Sequence, residues 1–152
     1  MSPLASPRTA IRDLVVAELD TIATSDPSQQ WNTTPEVHRY WVEHDQVTQY
    51  PALCVIFTDE TFKKDRMQGI VSDGKMKIVG YTRDDQDARA VLDKLIDDVI
   101  LKLSTSNALG AIVENLMMDS VSTDDGTQLA KPFAQFVMVW TFQFQRRFGF
   151  AG

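Results

Sequence analysis

From Phe133 to Phe148 the chain keeps one period throughout: Phe136, Met138, Trp140, Phe142 and Phe144 recur at every second residue. Gln135, Val137, Val139, Thr141, Gln143 and Gln145 fill the alternate positions. A period of two places one set on each side of an extended backbone, so this stretch predicts a strand with one aromatic face. Trp140, at the centre of that face, is expected to be buried.

The helical period appears twice. Ser6-Pro7 is a start signal, because Ser can cap free amides and Pro fits the first turn. Ile11, Leu14, Val15, Leu19 and Ile22 then form one apolar stripe, which predicts a helix ending near Ser25-Asp26-Pro27. The second stripe is longer: Ala88, Val91, Leu92, Leu95, Ile96, Val99 and Leu103 hold the i, i+3, i+4 rhythm. Thr82, Asp84 and Asp85 suit the positive end of its dipole and Lys102 the negative end, and Ile96 is expected to be buried.

Between and after the helices lie shorter strand patterns. The segment to Thr34 reads as loop, with Trp31 as its anchor, and Val37 to Val42 reads as an edge strand. Tyr50 to Thr58 is apolar on both alternating faces, the mark of a strand covered on both sides, and Pro51 is tolerated at its start. Asp59 to Gly74 is charged and contains Ser72-Asp73-Gly74, which predicts a protruding loop or hairpin. Lys75 to Tyr81 returns as a strand. Asn107 to Gly110 ends the second helix, a further strand is expected from about Leu116, and Thr123-Asp124-Asp125-Gly126 turns the chain into the last strand. The order predicts an α/β (α+β) fold: a single mixed, largely antiparallel sheet of about five strands with two main helices packed on one face. A strand-helix-strand passage between parallel strands is right-handed.

At 152 residues, 43% hydrophobic and 24% charged, the chain fits one globular domain that needs no metal or disulfide. Its net charge of -6 disfavours general nucleic-acid binding. The single Cys54 sits in an apolar run and reads as a buried thiol of a reducing compartment. No apolar run approaches the ~20 residues that cross a bilayer. Met1 to Pro7 lacks the basic and apolar segments of a signal peptide, which points to the cytoplasm.

Candidate chemistry is sparse. His38 and His44, six residues apart on an extended segment, stand roughly 20 Å from each other and cannot share a metal ion. Asp84, Asp85 and Asp87, with Asp97 and Asp98, fall off the apolar stripe and read as a wet helix face rather than acid-base pairs. Neither a phosphate loop, a nucleophile elbow nor a dinucleotide fingerprint is present, so no catalytic, cofactor or metal site is expected. Two segments rise above a solvated surface. Lys63, Lys64 and Arg66 lie beside Phe62 and Met67, and Arg146 and Arg147 beside Phe148 and Phe150. Both combine cations with apolar groups, the mixture found where surfaces lose water on binding.

The amphipathic first helix, the Tyr50-Pro51-Ala52-Leu53-Cys54-Val55 strand start, the strand and helix from Lys75 to Leu103, the Leu109-Gly110 break and the long final strand resemble tail terminator proteins of long-tailed bacteriophages. The resemblance covers most of the chain and rests on element order and apolar pattern, with Tyr-Pro-Ala as its one local motif. It implies a non-enzymatic virion protein, assembled in the host cytoplasm and placed at the tail-head junction. Such a subunit forms a hexameric ring on the tail tube protein, ends tube polymerisation and offers a surface to the head-tail connector or neck. DNA only passes through the lumen, and no cofactor or membrane is involved. A head-completion or neck adaptor of the same particle fits the same pattern. So does a small-molecule-binding domain or enzyme, which a deep polar-lined pocket in a monomer would favour.

Overall fold

In a computed structural model of the chain, residues 6–22, 33–65, 69–84, 86–124 and 133–146 are described. They form helix α1 (Pro7–Asp20), strands β1 (Glu36–His38), β2 (Ala52–Asp65) and β3 (Gly69–Arg83), helices α2 (Ala88–Ser104) and α3 (Asn107–Gly110), and strands β4 (Glu114–Asp124) and β5 (Phe133–Arg146). One five-stranded sheet runs β1-β2-β3-β5-β4. The β1/β2 pair is parallel and the other three pairs are antiparallel. Because β3 and β4 are both antiparallel to the β5 between them, they run parallel to each other.

The predicted α+β architecture is present, with both long helices on one face. Helix α2 packs on β3 and β5, and α1 packs on α2, β1, β2 and α3. The aromatic face of β5 supplies Phe136, Met138, Trp140, Phe142 and Phe144 to this core. Opposite them stand Ile11, Val15 and Leu19 of α1 and Leu92, Leu95, Val99 and Leu103 of α2. Among the described residues the other sheet face is covered at one end. There Val42 and Val47 flank a 3-10 turn, His44–Gln46, and pack over Ala52, Cys54, Val79 and Tyr81. Strand β2 is therefore covered on both sides near its start, as its unbroken apolar run predicts.

Several expectations are corrected. Pro7 opens α1, but the Ser6 hydroxyl makes no capping hydrogen bond. The helix stops at Asp20, before the expected Ser25, and the Thr21 hydroxyl donates back to Glu18 O. Trp31 lies outside the described residues. The first strand is three residues long, though it does lie at the sheet edge. Ile96 is only half-buried, because the buried stripe of α2 centres on Leu92, Leu95, Val99 and Leu103. Asp98, expected on the wet face, is fully buried and accepts hydrogen bonds from Thr33 N (2.8 Å) and Thr33 Oγ1 (2.5 Å). Lys102 is buried too, 3.9 Å from Glu18 Oε2 of α1. Asp87 caps α2 by accepting from Ala90 N, while Asp84 accepts from Gln86 N and Asp87 N. Asn107 to Gly110 forms its own helical turn, capped by Ser106, and β4 begins at Glu114.

Residues 59–74 lie in a hairpin, and what differs is the length of its strands. The strands do not stop at Thr58 and restart at Lys75; they continue to Asp65 and from Gly69, so the hairpin is a long extension of the sheet. Ser72-Asp73-Gly74 lies inside β3. Gly74 serves close packing there: a Cβ on it would stand 2.8 Å from the Phe142 ring and 3.0 Å from Phe57. An absent side chain at this position leaves room for the aromatic pair, which local turn chemistry cannot reveal.

Candidate functional site

The register carries residues 63–64 and residue 146, the described parts of the two cation-rich segments, to one end of the sheet. Lys63 of β2 pairs with Val71 of β3, and Val71 with Gln145 of β5. Lys64 pairs with Ile70, and Ile70 with Arg146. Positions about eighty residues apart in sequence thus share two adjacent rows, with one strand between them. Arg66, Met67, Arg147, Phe148 and Phe150 lie outside the described residues.

A bulge decides which residues of this extension face the helices. The β2/β3 register shifts between Phe57 and Asp59, so Phe57 sits on the helix face before it, and Glu60 and Phe62 sit there after it. Glu60 then faces Arg8 of α1, at 3.8 Å. The Arg8 guanidinium also lies 4.5 Å from the centre of the Phe57 ring and donates to Phe57 O at 3.4 Å. Phe57 packs edge-on against Phe142 and Phe144, with ring centres 5.4 and 6.0 Å apart. The start of α1 therefore clamps the base of the hairpin. Further out the helices no longer cover the sheet, and Phe62 is 59% exposed although its row partners Ser72 and Phe144 are buried. Exposed aromatic side chains are enriched among residues that carry binding energy.

On the helix-free face the same end of the sheet carries an open groove of about 440 Å³. Asp59, Thr61, Asp73, Lys75, Met117 and Gln143 are among its walls. Asn115 Nδ2 donates to Gln143 Oε1 (2.9 Å), and Gln143 Nε2 donates to Asp73 Oδ1 (2.8 Å), a chain of side-chain bonds across β4, β5 and β3. Asn115 has φ 54°, a left-handed conformation that Asn tolerates better than most residues. Met117 on the groove rim is 62% exposed; Met118, level with Trp140, and Ile112 are exposed outside the groove.

Among the described residues no His or Cys lines the groove. Cys54 lies elsewhere, buried under Val42, where loss of water pushes its thiol pKa up and the Sγ donates weakly to Val42 O. Burial likewise pushes the Tyr81 phenol far up, with Cys54 and Glu43 adding to the effect. His38 stands 3.4 Å from Glu36 at the β1 edge. Among the described residues no three His, Cys, Asp or Glu gather as metal ligands. No described helix is long and apolar enough to cross a membrane.

The cation-rich segments stand out in composition, whereas the groove and Met117 do not. Residues 111–121 fit a helix as well as a strand, so their alternation carried little signal. Compared with known families, the chain matches the model described as Bacteriophage Tail Tube Terminator Protein over residues 5–148. No curated protein matches it significantly.

Proposed function

The chain belongs to the bacteriophage tail tube terminator family and is a structural component of a phage tail; we propose that its copies close into a ring, six in number, on the last ring of the tail tube. There the ring ends tube polymerisation and presents its outer surface to the connector or neck of the head. The observation that carries this reading is the family match over nearly the whole chain. The register that brings residues 63–64 and residue 146 to one end of the sheet supports it. A subunit that stops a polymer needs one surface for the tube and side surfaces for its own copies. The proposed role falls to such surfaces and calls for no catalytic group.

In this reading Phe62, Lys63, Lys64, Arg66, Met67, Arg146, Arg147, Phe148 and Phe150 form the contact region. Contacts too weak to hold free subunits together become effective when a template presents them side by side. A heterologous interface that closes yields a ring, and one that fails to close yields a filament. The test adds purified protein to assembling tail tubes and measures tube length by electron microscopy. The parent is expected to fix the length. A Lys63→Glu, Lys64→Glu, Arg66→Glu variant and a truncation after Gln145 are expected to lose that effect. Folded variants that work as well as the parent would exclude these segments, and a parent that never limits length would refute the terminator role.

A further inference from the structure

The register fixes two rows of side chains around the groove on the helix-free face. Thr61, Asp73, Gln143 and Glu114 stand level across β2, β3, β5 and β4. Asp59, Lys75, Thr141 and Met117 form the next row. Between Glu114 and Met117, two residues of β4, Asn115 and Leu116, lie opposite one of β5, Phe142. At this bulge Asn115 takes its φ of 54° and its side chain reaches Gln143. Asn115 and Met117 line the β4 side of the groove, and Asp59 and Thr61 the β2 side. A second irregularity follows between Met118 and Ser120. Bulges blunt an edge strand as a template for backbone pairing, so what β4 offers a partner is the groove beside it.

We infer that this groove receives residues 147–150, Arg-Phe-Gly-Phe, of a neighbouring copy in the proposed ring. This rests on the ring reading and adds where the terminal segment goes. The chemistry of the two sides matches. From Arg146 to Phe150 the chain holds two arginines, two phenylalanines and no acid. The groove and its rim hold three carboxylates, Asp59, Asp73 and Glu114, against the one ammonium of Lys75. Lys75 stands directly opposite Asp59, while Asp73 and Glu114 flank Gln143 in the other row. Lys63 and Lys77 occupy the rows on either side, so the acidic strip is confined to these two rows. Cations entering between the rows meet carboxylates at close range, where charge-assisted hydrogen bonds are strongest. Met117, exposed on the rim, supplies apolar surface on which a phenylalanine ring loses water. The volume of about 440 Å³ lies in the range of ligand sites, room for a short peptide rather than for one side chain.

Reach selects a neighbour's segment over the chain's own. Strand β5 runs out of the groove at Gln143, and Arg146 lies three residues further on. Were the chain to reverse directly after Arg146 through a two-residue turn, residue 149 would stand level with 146 and residue 150 with 145. Arg147 and Phe148 would then occupy the turn itself, with Arg147 roughly 13 Å from Gln143 along the strand. A neighbour's segment, entering from outside, meets no such limit. Each copy then gives one segment and receives one, a heterologous contact that repeats until the ring closes.

Disulfide trapping between marked copies tests the docking. One full-length preparation carries Thr61→Cys in the groove, and a second, affinity-tagged, carries Gly149→Cys in the segment, so every Arg, Phe and carboxylate of the contact is kept. Cys54 is fully buried and offers no competing thiol. Mixed and oxidised on tail tubes, the two are expected to give a dimer of one tagged and one untagged chain, joined between positions 61 and 149. A double variant with both cysteines detects a link within one chain. As a second arm, Arg147→Glu in the tagged copy and Glu114→Lys in the other should each lower the dimer yield at least fivefold, and together restore it. Rings on tubes without that dimer, a link confined to one chain, or charge reversals that do not rescue each other overturn the docking and leave the ring reading standing. A parent protein that forms no ring on tubes overturns the ring reading and the docking with it.

Discussion

Replacing Gly80 by Ala tests the packing of the core through a single methyl group. Gly80 lies in β3 across from Phe136 of β5, on the face that meets the helices. A Cβ at this position would stand 2.0 Å from Phe136 Cε1 and 2.5 Å from its Cζ. Carbon atoms are in comfortable contact at about 3.5–4.0 Å, so the ring or the strand has to move by about 1.5 Å. Phe136 is fully buried among Leu92, Leu95 and Met138, which leaves it no open space. Overpacking of this kind costs about 1–3 kcal/mol. At a urea dependence of about 2 kcal/mol per M, the unfolding midpoint should fall by about 0.5–1.5 M. Urea titration followed by tryptophan fluorescence reads this shift. Gly110→Ala is the internal control, because nothing lies within 4 Å of a Cβ there and Ala favours the helical turn. In a Phe136→Leu background the Gly80→Ala cost should shrink, since the smaller side chain makes room, and the double-mutant cycle measures that coupling. A Gly80→Ala midpoint equal to the parent's would refute the packing described for this face.

Trp140→Ala should cost about 3–5 kcal/mol, as Trp140 is buried at the centre of the aromatic face, and the same titration measures it. Alkaline pH should destabilise the protein through Tyr81 and Cys54. Both pKa values are raised by burial, so the unfolded chain releases these protons first and stability falls as pH rises past the ordinary Cys and Tyr values. Denaturant titrations between pH 8 and 11 should show this decline, and Tyr81→Phe should flatten its upper part; an unchanged profile would contradict the assignment. Treatment with a metal chelator should leave the melting temperature unchanged, and a large drop would reveal a metal site.

The elements with strong, unbroken periodicity were legible in the sequence: β5 by its aromatic alternation, α2 by its stripe, and β2 by apolar residues on both faces. What escaped was decided between elements distant in sequence. Gly74 sits in a stretch that spells a turn, yet the rings of Phe57 and Phe142 occupy the space its side chain would need. Asp98 reads as a solvent-facing acid until Thr33, 65 residues away, supplies its hydrogen-bond donors. The cation-rich segments could be named from composition, but their shared position depends on the pairing of β3 with both β2 and β5. The groove combines side chains from β2, β3, β4 and β5, and no local pattern announces such a convergence.

In the proposed function, copies of this chain form a closed ring that ends the tail tube. Cryo-electron microscopy of tube ends, after the protein has been mixed with growing tubes, measures it most directly. The expected images show a ring with six copies at one end only, and tubes that no longer lengthen when fresh tube subunits are added. Bare tube ends, or capped tubes that continue to grow, would contradict it.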